Sequence, residues 1–402
     1  MQVKLRSSQT IWVRFVIFTC AALLLAIPSL PVADAAQAKT SKKSAKGPAP
    51  KSAPKSVAST GKKKSTRRTV SSPWKAPNFA DSSSEDFTDG DDPDARLAAV
   101  AALGKFNGSV VVTDAETGRI LTVVGQKTAF KSGFQPCSTI KVPVALAALS
   151  ESVVDRLTQI RIYGNTKVAL TEALARSNNN YFASLGEKLG FERMSYYARL
   201  YGLGEKASLN IEDEQPGILP SRTPVSGMGM MTSFGDGITL TPLEYASLIG
   251  AVANGGTLYY LQYPKNQEEA GGFIPQVKRK LDIEHIIDDL KPGMMGAVEY
   301  GTARRVGFNA EAPVYGKTGT CTDTRTPTHL GWFGSFTEVG HDKLVVVVML
   351  TGGSAVSGGS AAGVGGQVYK NLINGNFYAH TQDGERLSPA VAQGSSVKDA
   401  GQ

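Results

Sequence analysis

The order of strand-like and helix-like segments after residue 96 constrains this chain more than any other feature. Residues 108–113 and 119–124 are β-rich runs joined by Asp114-Ala115-Glu116-Thr117-Gly118, a hairpin signal. Helical patterns follow at 139–157, 167–176 and 242–254. The last of these opens with Thr241-Pro242-Leu243-Glu244, a capping box with proline at the first helical position, and ends at Gly255-Gly256. Strand signals return at 314–320, 330–337 and 343–351, and a closing helix is expected over 363–373. Two strands, a long helical section and three more strands predict an α/β fold of the α+β type. Its expected form is a five-stranded antiparallel sheet flanked by helices, with an all-helical subdomain inserted in the chain.

Not all 402 residues belong to that fold. Residues 36–80 hold twelve Lys or Arg and no Asp or Glu among runs of Ser, Ala, Pro and Gly, and residues 81–95 hold seven acids and no base. Such stretches bury too little apolar surface to offset their ordering entropy, so 36–95 is expected to be a disordered tether with an acidic, solubilising end. The basic part reads as an extended spacer, with contact to an anionic envelope surface as the other reading. Residues 381–402 read as a loose tail, which leaves 96–380 as the folded domain. The formal charge of +8 divides into +2 for 1–35, +12 for 36–80, −7 for 81–95 and +1 for the rest. A nearly neutral folded part argues against a nucleic-acid partner. In the first 35 residues, Lys4, Arg6 and Arg14 precede an apolar stretch that Pro28 interrupts, and Ala33-Asp34-Ala35 offers a small-x-small cleavage site. This is the pattern of an export signal, with a retained membrane anchor as the alternative. The expected location is therefore outside the cytoplasm, in the periplasm or an equivalent compartment.

The chemistry begins at Ser138-Thr139-Ile140-Lys141. Positions three apart share a helix face, so Lys141 can reach the Ser138 hydroxyl, and a desolvated lysine is a base able to activate it. Spacing alone is weak, because Ser52/Lys55, Ser59/Lys62 and Ser72/Lys75 share it within the tether. What sets Ser138 apart is the apolar run 142–149 behind it, which would bury a helix start and offer backbone N–H groups to a developing oxyanion. Pro143 implies a bend early in that helix. In Ser177-Asn178-Asn179, Ser177 follows Leu170, Ala173 and Leu174 at helical spacing, which puts it on the inward face of the same helix. An ordinary cap or turn accounts for the same residues. In Lys317-Thr318-Gly319-Thr320, on a strand, Gly319 would let a ligand backbone approach, and Lys317 with two hydroxyls makes an anion-binding edge. A plain strand with a glycine bulge is the other reading.

Taken in this order, Ser-x-x-Lys, Ser-x-Asn and Lys-Thr-Gly-Thr resemble the penicillin-recognising serine acyltransferases. Residues 170–182 and 214–220, the segment from Phe234-Gly235-Asp236-Gly237 to Pro242, Gly301-Thr302-Ala303-Arg304, Trp332-Phe333-Gly334 and Gly358-Gly359-Ser360-Ala361-Ala362 narrow the resemblance to transpeptidase-type penicillin-binding proteins over about residues 100–375. The resemblance implies Ser138 as acylated nucleophile, Lys141 as general base, Ser177 as proton relay and Asn179 as a holder of the lysine and of the substrate amide. It implies that Lys317, Thr318 and Thr320 bind the terminal carboxylate of a D-alanyl-D-alanine stem peptide of peptidoglycan, with the backbone N–H groups of Ser138 and Thr320 as oxyanion hole. It implies no metal or organic cofactor, and the four histidines show no ligand spacing. β-Lactams are then expected as inhibitors or substrates.

Some features depart from the long cell-wall transpeptidases. Thirty-nine residues separate Ser138 from Ser177, fewer than those enzymes lead one to expect, and neither a pedestal nor a glycosyltransferase sequence precedes the domain. The expectation is a stand-alone catalytic domain on a tether. Cys137 and Cys321 flank the nucleophile and the Lys-Thr-Gly-Thr strand, which resembles the disulfide of certain class A carbapenem-hydrolysing β-lactamases; two buried free thiols are the alternative. A β-lactamase would need a group that activates water, for which the nearest match is Glu205, one residue out of place relative to Leu209-Asn210. The remaining alternative is a muropeptide- or β-lactam-binding protein without turnover.

Overall fold

The apolar run Leu344 to Leu350 is buried along its whole length, which requires cover on both faces of its strand. A computed structural model describes residues 74–378 apart from 132, 324, 325, 340, 341 and 376. The strands β1 (Gly108–Asp114), β2 (Ile120–Val124), β3 (Val314–Asp323), β4 (Thr328–Val339) and β5 (Asp342–Gly352) form one sheet in the order β2-β1-β5-β4-β3. All four pairings are antiparallel, with Val111 opposite Val347 and Trp332 opposite Met349. Alternate residues of β5 enter different cores: Val345, Val347 and Met349 one, and Leu344, Val346, Val348 and Leu350 the other.

The helices of six or more residues are α1 (Pro93–Leu103), α2 (Lys141–Ser150), α3 (Leu170–Ala175), α4 (Asn179–Leu200), α5 (Met228–Phe234), α6 (Pro242–Ala253), α7 (Glu284–Glu299) and α8 (Gly358–Asn374). The core containing Leu344 and Val348 is closed by residues of α1 and α8, the other by α2, α4 and α6. Every residue of α6, and every residue of α2 except Ser150, is buried. Helices that are apolar all round suit only such an interior position. The Thr241/Glu244 capping box forms as expected. The section inserted between β2 and β3 is not all-helical, because Ile160–Tyr163 with Thr166–Val168, and Thr257–Tyr259 with Val277–Lys280, form two short ribbons.

Several boundaries differ from expectation for local physical reasons. The helix expected over 139–157 stops at Ser150, because Ser152 takes a left-handed conformation and Val153 N–H bonds to Ala148 O at 2.9 Å, a helix-ending arrangement. Asp155 then caps the next turn by accepting from Leu157 and Thr158 N–H. The closing helix begins five residues before 363 because Ser357 caps it, accepting from Ser360 N–H at 3.1 Å. Three of its glycines are sites of close approach: a Cβ would lie 2.8 Å from Gly319 O at Gly358, 2.6 Å from the Phe333 ring at Gly365 and 2.3 Å from Val306 O at Gly366.

The tether was expected to run to residue 95, and the structure corrects that boundary, since residues 74–95 pack on the domain. Asp86 accepts from Gly125 and Gln126 N–H and pairs with Arg96 at 2.9 Å, and Asp92 caps α1. Asp91 is buried between the Thr122 and Tyr263 hydroxyls, and burial pushes its carboxyl up to about 6. Acids that look like a spacer in sequence serve as caps and buried acceptors here. The expected signal, the tether over 36–73 and the tail over 381–402 lie outside the described residues.

Candidate active site

The chain reaches Ser138 through a constrained turn. Cys137 sits at φ +53°, a conformation costly for a residue with a Cβ, and bonds through its sulfur to Cys321 on β3, with Cα atoms 5.5 Å apart. Thr139 Oγ1 donates to Pro136 O at 2.6 Å, and Trp332 Nε1 donates to Gln135 O at 3.0 Å, which ties the turn to β4. One turn of 3₁₀-helix, Cys137–Ile140, leads into α2 at Lys141. Pro143 therefore falls in the first α-turn, and the change from 3₁₀ to α geometry takes the place of the expected bend.

Lys141 is fully buried, and its Nζ is surrounded by four oxygens: Ser138 Oγ at 3.0 Å, Ser177 O at 2.8 Å, Ser177 Oγ at 3.0 Å and Asn179 Oδ1 at 2.5 Å. An ammonium has three protons for these four neighbours. A neutral amine donates two and keeps a lone pair that can accept the Ser138 hydroxyl proton. Burial lowers Lys141 to about 7, which makes that neutral form accessible near neutral pH.

Ser177 is brought to the lysine, though not by the helix predicted to carry it. α3 ends at Ala175, and Ser177 stands in the turn before α4 at φ +57°, with Asn178 capping α4 through Tyr181 N–H at 2.9 Å. The left-handed residue lets both its carbonyl and its hydroxyl face Lys141 Nζ. Lys317, also fully buried, donates to Ser177 Oγ at 2.9 Å and to Thr318 O at 2.8 Å. Its pKa is pushed well below the ordinary lysine value by burial and then by the charge of Lys141. Ser177 Oγ thus bridges two amines, and Ser138, Lys141, Ser177 and Lys317 form one continuous polar line.

The pairing of β3 with β4 runs unbroken from Val314/Thr337 to Asp323/Thr328, so Gly319 marks no bulge. Nor does it open the strand to a ligand backbone. A Cβ there would lie 2.8 Å from Pro136 O and 3.1 Å from Thr139 Cγ2, so the glycine makes room for the nucleophile turn itself. Thr320 is exposed and its hydroxyl accepts from Gly358 N–H at 2.7 Å, while Thr318 and Thr302 hydroxyls lie 2.6 Å apart. Thr302 and Gly358 belong to motifs quoted above, but neither was assigned a part in the site. Glu205 is engaged by Lys278 at 3.1 Å and Arg279 at 2.8 Å, and none of the hydrogen-bond partners of Ser138, Lys141, Ser177 or Lys317 given above is a carboxylate. Among the described residues no cluster of His, Cys, Asp or Glu is placed to hold a metal ion.

The sequence and fold have relatives. The family model for the penicillin binding protein transpeptidase domain matches residues 108–374. Stage V sporulation protein D of Bacillus subtilis is 28% identical over 265 residues, covering 58% of this chain and 40% of its own length. The peptidoglycan D,D-transpeptidase PbpA of Mycobacterium tuberculosis is 26% identical over 341 residues, covering 68% of each. Among solved structures, an imipenem acyl-enzyme complex of penicillin-binding protein A from M. tuberculosis shares the fold with a TM-score of 0.61 at 21% identity, covering 71% of this chain and 78% of that one. With the family model matched across the sheet and the inserted section together, the chain belongs to the penicillin binding protein transpeptidase domain family.

Proposed function

We propose that the chain is an exported D,D-transpeptidase that acts on D-alanyl-D-alanine stem peptides of peptidoglycan through a serine acyl-enzyme. The observation that carries this is the buried Lys141 amine 3.0 Å from Ser138 Oγ, with a pKa lowered to about 7. In the first half-reaction the neutral amine takes the Ser138 hydroxyl proton as Oγ bonds to the carbonyl carbon of the penultimate D-alanine. The resulting oxyanion sits at the backbone N–H groups of Ser138, in the first turn of a helix where no intrahelical acceptor exists, and of Thr320. The C–N bond then breaks, and the proton passes from Lys141 through Ser177 Oγ to the departing D-alanine amine. In the second half-reaction an acceptor amine gives a proton to the neutral Lys141 amine and bonds to the ester carbon, the acyl C–Oγ bond breaks, and Lys141 returns the proton to Ser138 Oγ. Asn179 holds Lys141 and the substrate amide, and Thr318 and Thr320 hold the terminal carboxylate beside Lys317. The line needs no cofactor.

Water in place of the amine gives D,D-carboxypeptidase action through the same acyl-enzyme. Rapid hydrolysis of β-lactams is the weaker reading, because Glu205 is engaged in ion pairs with Lys278 and Arg279 and none of the hydrogen-bond partners given above for Ser138, Lys141, Ser177 or Lys317 is a carboxylate. β-Lactams then act mainly as inhibitors that acylate Ser138. Outside the described residues, the same proposal takes 1–35 as an export signal and the basic stretch as a tether on the outer side of the membrane. No helix among the described residues is long and apolar enough to cross a membrane.

Incubation of the purified chain with a synthetic stem pentapeptide ending in D-alanyl-D-alanine, with and without an amine acceptor, tests the proposal. Release of D-alanine with a new amide to the acceptor is the expected result, and release without that amide reassigns the chain to carboxypeptidase action. No release under either condition contradicts the proposal.

A further inference from the structure

We propose that residues 74–80 are a working part of the site, with Trp74 as a positioning residue that holds the end of β3 and, through it, the Thr320 backbone N–H. The inference rests on the acyltransferase reading above. β3 is an edge strand, bonded to β4 on one side, and its far end has the least support from the sheet. β5 ends at Gly352, opposite His329 of β4, so Pro327 and Thr328 lie past the end of that pairing. A two-stranded hairpin that outruns its neighbour is held weakly unless another element takes the neighbour's place.

Residues 74–80 take that place. Lys75 N–H bonds to Pro327 O at 2.8 Å. The Trp74 ring stands edge-on to His329, with centroids 5.4 Å apart and an interplanar angle of 69°. His329 Nδ1 lies 3.0 Å from Thr322 Oγ1, and Thr322 is two residues from Thr320, on the same face of β3. Behind the ring, a Cβ at Gly353 would stand 2.4 Å from Trp74 Cδ1, so the glycine makes room for the indole. Asn78 fixes the segment to the sheet: its Oδ1 accepts from Gly353 N–H at 2.7 Å and its carbonyl from Asn107 N–H at 3.1 Å. Contacts thus run unbroken from Trp74 through His329 and Thr322 to the strand that presents the Thr320 N–H. Cys321, between Thr320 and Thr322, belongs to the opposite face and is tied to Cys137, so Trp74 and the disulfide hold the two faces of the strand.

Rapid-mixing kinetics of the purified full chain with penicillin test this, because they separate the dissociation constant of the non-covalent complex from the first-order rate of acylation. Trp74→Ala is expected to lower the first-order rate about 10-fold, the effect of a small displacement of a transition-state donor, and to leave the dissociation constant close to wild type. Trp74→Phe restores a ring beside His329 and should regain most of the rate. Lys75→Pro removes the N–H bonded to Pro327 O without removing the Trp74 side chain. It should slow the same step, and it carries the test if the alanine variant does not fold. Phe79→Ala removes the ring contact with Phe106 at the far end of the segment, and should lower the unfolding midpoint without changing the rate. A wild-type rate in both Trp74→Ala and Lys75→Pro, an equal loss in Phe79→Ala, or no recovery in Trp74→Phe would overturn the assignment. Failure of the wild-type chain to be acylated would instead overturn the acyltransferase reading, and the role of Trp74 with it.

Discussion

Replacement of Lys141 by methionine is expected to lower the second-order rate of acylation by penicillin about 10²- to 10⁴-fold, the range spanned by a positioned general base. Methionine approximates the lysine stem without its amine, so Ser138 keeps its position on the helix start and loses the group 3.0 Å from its hydroxyl. The pH profile distinguishes loss of a base from loss of structure. Because burial brings Lys141 to about 7, the wild-type rate should rise about tenfold per pH unit below that value and level off above it, whereas the variant should show no such rise. The sign for stability follows from the same shift. Between about 7 and the ordinary lysine value of 10.5 the unfolded chain holds a proton that the folded chain has released, so folding is favoured increasingly as pH rises through that window. The methionine variant lacks this part of the rise. A variant that acylates at the wild-type rate, or that keeps the wild-type pH profile, would contradict the role given to Lys141.

Loss of the Cys137–Cys321 bond is the second large effect. The two residues are 184 apart in sequence, and closing so long a loop stabilises a fold by about 5 kcal/mol in the chain-entropy account, with about 2–5 kcal/mol the usual measured range. The Cys137→Ser/Cys321→Ser double variant should therefore unfold at markedly lower denaturant concentration than the wild type, and reductant should bring the wild type toward the variant. Acylation should slow as well. Cys137 is held at φ +53° directly before Ser138, and without its link to β3 the turn is free to relax to a less strained backbone. Denaturant unfolding with and without reductant measures the first effect, and mass-detected acylation measures the second. An unfolding midpoint that neither reductant nor the double variant moves would show that the bond does not hold the site.

What could be read from the sequence was what local patterns determine. The five strands, the Thr241/Glu244 cap, the buried helix behind Ser138 and the reach of Lys141 to Ser138 all follow from periodicity, cap chemistry or three-residue spacing. Ser177 shows the limit of that reasoning. Helical spacing pointed it inward, but the helix ends at Ala175, and a left-handed turn does the positioning instead. Gly319 was read toward a ligand, and only the folded chain reveals that Pro136 and Thr139 occupy the space. The contact of Thr302 with Thr318 and the docking of Asp86 on Gly125 and Gln126 join parts of the chain that no local pattern relates. Seven acids in fifteen residues look like a solvated spacer until the backbone N–H groups that Asp86 and Asp92 cap, and the hydroxyls that meet Asp91, are in place.

The account turns on Ser138 as the atom that becomes covalently attached. Intact-mass spectrometry of the purified chain after exposure to penicillin, followed over hours beside Ser138→Ala, tests this most directly. A persistent mass increase equal to one penicillin on the wild type, and none on the variant, is the predicted result. An adduct of the same size on Ser138→Ala, or rapid loss of the drug with no accumulating adduct on the wild type, would contradict it.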